Sequence, residues 1–477
     1  MNKKITNIIC IPLKIILILC ISYGLYSYFD EVFETKGIER AESFHNLPEN
    51  SLDVLVLGSS HAQFSFVPSI YYQDTGLYSI VMGSACQPLE VSYQMLREVL
   101  KTQNPSLVIL ETYTAMPLRE VCEADSCYVT AHYMMTGEEK YNTLNYLPED
   151  KAKSYYNEFI NNHNNWKYLN SLKDLNCYSK NTDTIDIDYN MGYVEKEPDL
   201  PVENYWYANS YEETIDVELD ERDLESLNNI YDLCKENGIQ LMLYKTPVDN
   251  IDLLNHSYLN KVWEWCDSKN IPYENIIDLQ DKIDFRMFSH SDSNHCNIIG
   301  ANTITEELAN FSKNNFEFNH KDNEFLNNIY IKDGTYKALH VYEFEKNVYK
   351  ALRRIKHSDV TLLVKYEPGL LMEDRLKETL IDLGCSKTMD LQKSYYAIIK
   401  NGILISESFG EPMTINVNNH KVEINQKDIF IDNSNLNVQG QLGLVAAKND
   451  LNEYYLKNIN INGYPWELGY DYFLKIS

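Results

Sequence analysis

The stretch that most constrains the fold is a short apolar strand that ends at a glycine followed by two serines. Residues 54–57 read Val-Leu-Val-Leu, a continuous and partly β-branched run that is typical of a parallel strand buried on both faces. Gly58 can adopt the backbone angles of a sharp turn from strand to helix. The pattern predicts an α/β domain whose first strand delivers Ser59 and Ser60 to the start of a helix.

Ser60 is the residue that we predict to be a nucleophile. At a helix N-terminus the free N–H groups and the positive end of the helix dipole favour a developing oxyanion, so a serine there suits acyl transfer. The alternative is that Gly58-Ser59-Ser60 is an ordinary helix cap. A second segment, far along the chain, favours the nucleophile.

That second segment carries Asp292 and His295, which are three positions apart. On a helical turn this spacing places both on one face, where a carboxylate can orient an imidazole as general base for a serine hydroxyl. The alternative is a histidine-containing loop before an amphipathic helix that begins near Gly300. A third interpretation is a metal site that includes His290. Ser60 gives His295 a more specific use, so we expect neither a metal nor another cofactor.

The two segments together resemble the SGNH (GDSL-like) hydrolase superfamily. Gly58-Ser59-Ser60 is similar to its first sequence block, with Ser60 as nucleophile, and residues 292–295 are similar to its Asp-x-x-His fifth block. The resemblance implies a three-layer α/β fold with a parallel sheet between helices. It also implies a triad of Ser60, His295 and Asp292.

The middle blocks of the superfamily are matched less completely. Residues 78–85 resemble the second block, in which the N–H of Gly83 would join that of Ser60 in an oxyanion hole. The third block carries an asparagine as a further donor, but the strand at 106–113 ends without one. Thr112 and Tyr113 are the candidates to replace it.

Strand ends of this kind resemble the membrane-tethered members of the superfamily that act on cell-envelope polymers, in lipoteichoic acid D-alanylation and polysaccharide O-acetylation. The resemblance implies an extracellular serine O-acyltransferase or esterase that acts on an envelope polysaccharide or teichoic acid. A multi-spanning membrane O-acyltransferase would be its partner. The alternative is an inactive SGNH scaffold on the cell surface that binds carbohydrate or a protein partner.

Residues 8–29 form an apolar run of about the length that crosses a bilayer, and we predict a single transmembrane anchor there. Lys3 and Lys4 precede it, and Lys14 interrupts it near its amino-terminal end. The positive-inside rule therefore predicts a cytoplasmic tail at 1–7 and an extracellular position for everything beyond the anchor. A cleaved signal peptide is the alternative, but no small-x-small cleavage site follows the apolar part.

The charge of the chain narrows the set of partners. A formal net charge of −28 argues against nucleic acid, because binding phosphates needs the opposite sign. An acidic surface also repels an anionic polymer at long range. Screening over about 10 Å limits this repulsion, so a teichoic acid stays among the expected substrates.

A length of 477 residues exceeds what one core usually serves, so two folded domains are expected. Beyond the anchor, the predicted order is a linker at 30–50, an α/β domain at 51–316 with a cap insertion at about 119–216, a second linker at 317–330, and an accessory α+β domain at 331–477 that is rich in antiparallel strands. In the order of its elements, 361–406 resembles interleukin-like EMT-inducer (FAM3-type) domains, which implies a module that binds carbohydrate or a partner.

Several further residues are candidates for binding or cross-linking. Lys245 and Thr246 follow a predicted strand and either could line the site at the sheet edge, although a solvated loop lysine is the alternative. Cys122 and Cys127 are close enough to bridge a small loop, whereas Cys86 is predicted to be a buried thiol. The predicted cap contains aromatic residues that could stack on sugar rings or simply pack: Trp166, Tyr168, Tyr205, Trp206 and Tyr207.

Overall fold

The structure is a computed structural model, and it describes most of the chain outside the predicted cap. The described residues are 3–32, 44–115, 130, 134–146, 190–198, 214–248, 253–279, 291–292, 294–345, 347–368, 374–387, 392–438 and 440–459. The aromatic residues of the predicted cap, His290, Cys122 and Cys127 lie outside these ranges.

The first folded region is built on five parallel strands. They are β1 (Val54–Gly58), β2 (Ser79–Gly83), β3 (Leu107–Glu111), β4 (Gln240–Lys245) and β5 (Tyr273–Asn275). Their order in the sheet is β2-β1-β3-β4-β5, and Gly58 pairs with Gly83 at the carboxyl edge. The chain therefore leaves β1 to one side for β2 and then crosses to β3 on the other side. In open α/β sheets, a switch of this kind opens a crevice at the carboxyl ends of the strands.

Alternate residues of these strands enter two different cores, so helices cover both faces of the sheet. Leu55 and Leu57 belong to the core with α4 (Leu89–Val99), α6 (Glu221–Glu236) and α7 (Leu253–Lys269). Val54 and Val56 belong to the core on the opposite face. The helices of that face are α2 (Ser60–Ser65), α3 (Pro68–Thr75) and α9 (Ile298–Asn315). The predicted α/β layering is confirmed: a parallel sheet lies between two helical layers.

The described chain contains six further helices. They are α1 (Lys3–Val32), α5 (Gly137–Asn145), α8 (Ile276–Leu279), α10 (Glu324–Phe344), α11 (Val348–Ile355) and α12 (Asp374–Asp382).

The second region contains two antiparallel sheets. One has the order β14-β13-β6-β7-β8 and the other β12-β11-β10-β9. The strands are β6 (Val360–Tyr366), β7 (Tyr395–Lys400), β8 (Ile403–Phe409), β9 (Met413–Val417), β10 (His420–Ile424), β11 (Ile429–Ile431), β12 (Ser434–Asn435), β13 (Leu442–Lys448) and β14 (Tyr454–Ile459). The two sheets share one core, while α10, α11 and α12 cover the other face of the larger sheet. The predicted wealth of antiparallel strands is therefore present.

Helix α10 occupies part of the stretch that was predicted to be a linker. Its first half buries Leu326 and Tyr330 in the core of the first region. Its second half buries Leu339 and Tyr342 in the core of the second region, where the Tyr342 hydroxyl donates to the Leu444 carbonyl oxygen at 2.9 Å. The linker prediction for 317–330 is thus wrong from Glu324 onward, because apolar residues at helical spacing give this segment two cores to bury.

Helix α1 contains the segment that was predicted to be a membrane anchor. From residue 12 to residue 27 its side chains are exposed, including Leu19 at 62%. Within the described residues, no helix combines the length and the hydropathy needed to cross a bilayer.

One cysteine differs from its prediction. Cys86 was predicted to be a buried thiol, but it is half-buried and disulfide-bonded. Four other cysteines are free and buried: Cys234, Cys266, Cys296 and Cys385. Sequence spacing alone could not reveal the bond, because the partner of a cysteine is set by the fold.

A buried ion pair joins the two regions. Arg354 on α11 is only 4% exposed, and it contacts Asp74 on α3 at 3.0 Å and Glu306 on α9. Burial alone would raise the pKa of Glu306, but the charges of Arg354 and Arg353 outweigh this and lower it from 4.5. Because the folded-state pKa is lowered, this carboxylate stabilises the fold above pH 4.5, and the contribution is lost as pH falls through the folded value.

We predict that Arg354→Met lowers the free energy of unfolding by about 3–5 kcal/mol, because two largely buried carboxylates lose their buried cation and only the exposed Arg353 remains beside Glu306. Arg353→Met is the matched control. This neighbour contacts the same Glu306 at 2.6 Å but is 60% exposed, so its loss should cost at most about 1 kcal/mol. Urea unfolding at neutral pH and at pH 4 measures both variants. Equal losses of unfolding free energy in the two variants would contradict the prediction. So would an Arg354→Met protein that loses as much stability between neutral pH and pH 4 as the wild type does.

Candidate functional site

The site begins where β1 turns into α2. Ser59 is the N-cap of this helix, with its Oγ accepting from the N–H of His61 at 3.2 Å, and Ser60 is the first helical residue. Capping of this kind contributes about 1 kcal/mol to a helix. The sequence therefore fixes the helix start at the residue that was predicted to be the nucleophile. Ser59 is fully buried, whereas Ser60 is partly exposed.

Two glycines allow the backbone of this turn to pack closely. Gly58 has a φ of +149°, and a Cβ there would lie 2.7 Å from the Cβ of Glu111. At Gly83, on the neighbouring strand, a Cβ would lie 2.8 Å from the Gly58 carbonyl oxygen and 3.0 Å from that of Ser59. The separations of 2.7 and 2.8 Å are shorter than the contacts that real Cβ atoms make. The turn thus requires glycine on two adjacent strands.

Asp292 and His295 lie next to Ser60 in the folded chain, although 235 positions separate Ser60 from His295. The Nε2 of His295 is 2.9 Å from the Ser60 Oγ, and its Nδ1 is 3.0 Å from Asp292 Oδ2. An ionised carboxylate only accepts hydrogen bonds, so Nδ1 must carry the ring proton. The lone pair of Nε2 then faces the serine hydroxyl. The result is a continuous hydrogen-bonded chain from Asp292 through His295 to Ser60.

The local turn holds Asp292 in its ionised form. Its Oδ1 accepts from the backbone N–H groups of Asn294 and His295, each at 2.8 Å. Partial burial raises the pKa of Asp292, but these hydrogen bonds and the imidazole outweigh it, so the pKa is lower than the usual value. The Asp292 side chain is 52% exposed. Its role is therefore to orient the ring rather than to supply a strong buried charge.

The predicted oxyanion donors have different surroundings. Gly83 lies beside the Ser59–Ser60 turn, since a Cβ built on it would lie 3.0 Å from the Ser59 carbonyl oxygen. Thr112 does not fit the prediction, because both its N–H and its hydroxyl donate to the Tyr244 carbonyl oxygen, at 3.0 and 3.1 Å. That threonine links two strands instead. The ring of Tyr113, the other candidate, stacks on His61 with centroids 3.6 Å apart.

A buried ion pair lies beneath the turn. Glu111 ends β3 and Lys245 ends β4, both side chains are fully buried, and 3.8 Å separates Lys245 Nζ from Glu111 Oε1. The Ser59 hydroxyl donates to Glu111 Oε2 at 3.2 Å, and the N–H of Tyr113 donates to Oε1 at 3.1 Å. Burial lowers the pKa of Lys245 to about 8, against the opposing effect of Glu111.

The burial of this pair corrects one prediction and reveals an omission. Lys245 and Thr246 were expected to line the site or to be solvated, but both are buried below it, and Lys245 donates to the Thr246 carbonyl oxygen at 2.7 Å. Glu111 was not singled out from the sequence. Two opposite charges, each directly ending an apolar strand, were the available signal, because the carboxyl ends of parallel strands meet at one edge.

Residues 190–198, which fall inside the predicted cap, brace the site from the side. The N–H of Val81 on β2 donates to the Met191 carbonyl oxygen at 2.9 Å, and the N–H of Val194 donates to that of Gln63 on α2 at 2.8 Å. The N–H of Ile298, at the start of α9, donates to the Lys196 carbonyl oxygen at 2.9 Å. This one segment therefore ties the helix after Ser60 to the helix after His295.

Comparison with protein-family models gives no match, and no curated protein matches the sequence. The fold is similar to the crystal structure of a protein from Bacteroides fragilis that is described provisionally as an acylhydrolase. The similarity has a TM-score of 0.28 and 11% sequence identity, and it covers 58% of this chain and 99% of that one. A similarity this distant carries no argument about function, so the chemistry of the site has to be judged from its own geometry.

Proposed function

We propose that this protein is a serine esterase or O-acyltransferase of the SGNH type, with Ser60 as nucleophile, His295 as general base and Asp292 as the group that orients the base. The observation that carries the proposal is the hydrogen-bonded chain of these three side chains, 3.0 Å and 2.9 Å long in its two links. A serine is a weak nucleophile unless such a base accepts its proton.

The proposed reaction proceeds through an acyl-serine. The Ser60 Oγ attacks the carbonyl carbon of an ester while its proton passes to His295 Nε2. The tetrahedral intermediate then collapses, the bond to the leaving oxygen breaks, and His295 returns the proton to that oxygen. In the second half, water or another hydroxyl gives its proton to His295 Nε2 and attacks the acyl carbon. The bond between that carbon and the Ser60 Oγ then breaks, His295 returns the proton to the Oγ, and the acid or new ester leaves.

The proposed oxyanion site uses backbone groups of the turn. Ser60 is the first residue of α2, where backbone N–H groups have no partner within the helix. Gly83 approaches the same turn from β2. We assign the donors to Ser60 and Gly83 and leave out Thr112, whose donors are both engaged elsewhere.

We expect Ser60→Ala to abolish labelling by a fluorophosphonate probe and His295→Ala to slow it by at least about 1,000-fold, because the serine then has no base. Asp292→Asn should have a smaller effect. Ser59→Ala is the comparison: it loosens the turn and should slow labelling by at most about 100-fold, because the Ser60 hydroxyl and its base remain. Labelling that survives in Ser60→Ala but not in Ser59→Ala would move the nucleophile by one residue. A wild-type protein that never labels would favour an inactive scaffold that binds carbohydrate or a protein partner.

The substrate that we propose is an envelope polysaccharide or teichoic acid, and transfer rather than hydrolysis is the proposed physiological direction. An acyl-serine can be resolved by water or by a sugar hydroxyl. The proposed anchor at 8–29 would hold the site within a linker's reach of the membrane, which a freely secreted esterase does not need. Activated acyl donors are cytoplasmic, so an outward-facing transferase would need a multi-spanning membrane O-acyltransferase as partner. The resemblance to tethered envelope proteins supports this direction.

The direction of the reaction can be tested in cells. We expect a strain that lacks this protein to carry fewer ester groups on its surface polymers, and a strain with Ser60→Ala to match it. Quantitative release of the acyl groups by mild alkali measures both. More ester groups than in the parent strain would show instead an esterase that trims them.

The proposed location is the outer side of the cytoplasmic membrane, with the amino terminus inside. The lysine bias around residues 8–29 supports this orientation. The disulfide at Cys86 also suits an oxidising compartment. Protease added to intact cells stripped of their wall should digest the folded regions, and a cytoplasmic protein in the same cells serves as the protection control. Full protection of this protein would overturn the proposal.

A further inference from the structure

Beneath the proposed nucleophile lies a buried charge pair for which the reaction has no direct use. Burying a carboxylate and an ammonium costs several kcal/mol for each ion, and the cost is offset only when the geometry and the surrounding hydrogen bonds are good. Apolar residues at the ends of β3 and β4 would fill the same space without that cost. The pair is therefore expected to do something that apolar packing cannot.

The hydrogen bonds of Glu111 show what the buried pair does. The Ser59 hydroxyl donates to one carboxylate oxygen at 3.2 Å, and the N–H of Tyr113 donates to the other at 3.1 Å. The Ser59 Oγ in turn accepts from the N–H of His61 and lies 3.2 Å from its Nδ1. The carboxylate thus holds the cap residue of α2 from below. Ser60 is covalently next to that residue.

We propose that Glu111 is a positioning residue for the nucleophile turn, and that Lys245 is the counter-ion that makes its buried carboxylate tolerable. Anchored at Ser59, the turn can direct the Ser60 Oγ at His295 Nε2 with little freedom. The proposal rests on the proposed function for its catalytic meaning, but the anchoring itself concerns the turn alone. A misplacement of about 1 Å at a reacting atom can cost about 100-fold in rate.

The key variant is Glu111→Met/Lys245→Met, which removes both charges together and leaves neither ion buried alone. Glu306→Met/Arg354→Met is the matched control, since it removes a buried pair from the interface of the two regions, away from the turn. We expect the first variant to react with a fluorophosphonate about 10- to 100-fold more slowly at saturating probe, with the half-saturating concentration little changed. The control, corrected for its folded fraction, should react at the wild-type rate. Equal rates in the two double variants would overturn the proposal.

A second comparison uses Ser59→Ala. If Glu111 acts through Ser59, adding Ser59→Ala to the Glu111→Met/Lys245→Met variant should slow labelling no further, because both changes break the same link. Fully multiplicative effects would show that Glu111 acts by another route and would overturn the proposal.

A readout without chemistry separates this proposal from the function itself. The ring ¹H and ¹⁵N resonances of His295 report its hydrogen bond to Ser60, which is 2.9 Å long, so Ser60→Ala should move their chemical shifts at a fixed pH. We expect Glu111→Met/Lys245→Met to move these chemical shifts in the same direction and Glu306→Met/Arg354→Met to leave them unchanged. If the wild-type protein does not label, the proposed function fails and these chemical shifts still decide the role of Glu111. Unchanged His295 chemical shifts in the Glu111 variant would overturn that role.

Discussion

The close approach of β1 to β3 at Gly58 is the constraint on which the site depends. A side chain at this glycine would lie 2.7 Å from the Cβ of Glu111, so the end of one strand can pack on the end of the next only without it. The approach places the Ser59 hydroxyl on the Glu111 carboxylate at 3.2 Å. It also fixes where α2 begins, and therefore where Ser60 meets His295. The packing of the two strand ends and the position of the Ser60 side chain therefore depend on the same glycine.

Much of this arrangement could be predicted from local patterns. Residues 54–57 were predicted as a buried strand and lie in β1, and the helix expected to begin near Gly300 is α9, which begins at Ile298. Strong apolar periodicity makes such elements visible without tertiary information. The contacts of Ser60 with His295 were also expected, since two short segments at the two ends of an α/β domain matched one known arrangement. The Ser60 Oγ and the His295 Nε2 lie 2.9 Å apart in the fold.

The parts that could not be predicted are those that only the tertiary structure decides. Lys245 is an ordinary loop lysine until β4 is placed beside β3, which puts Glu111 3.8 Å from it and closes both off from water. Thr112 is a plausible donor until its two donors are both found on the Tyr244 carbonyl oxygen. Helix α10 lacks a single apolar stripe because it faces two cores in turn, so its first turn resembles a polar linker. In each of these three cases, the role depends on which groups the fold buries together, and the local sequence does not reveal this.

Helix α10 also couples the unfolding of the two regions. Tyr330 is buried in one core and Tyr342 in the other, and about three turns of one continuous helix separate them. Melting either core would strip apolar surface from a helix that the other core still needs. The two regions should therefore lose structure in one cooperative transition, as a single thermodynamic unit. Recombination could then not exchange the carboxy-terminal region freely. Any replacement would have to pack on the second half of α10 without disturbing the first half, which belongs to the other core.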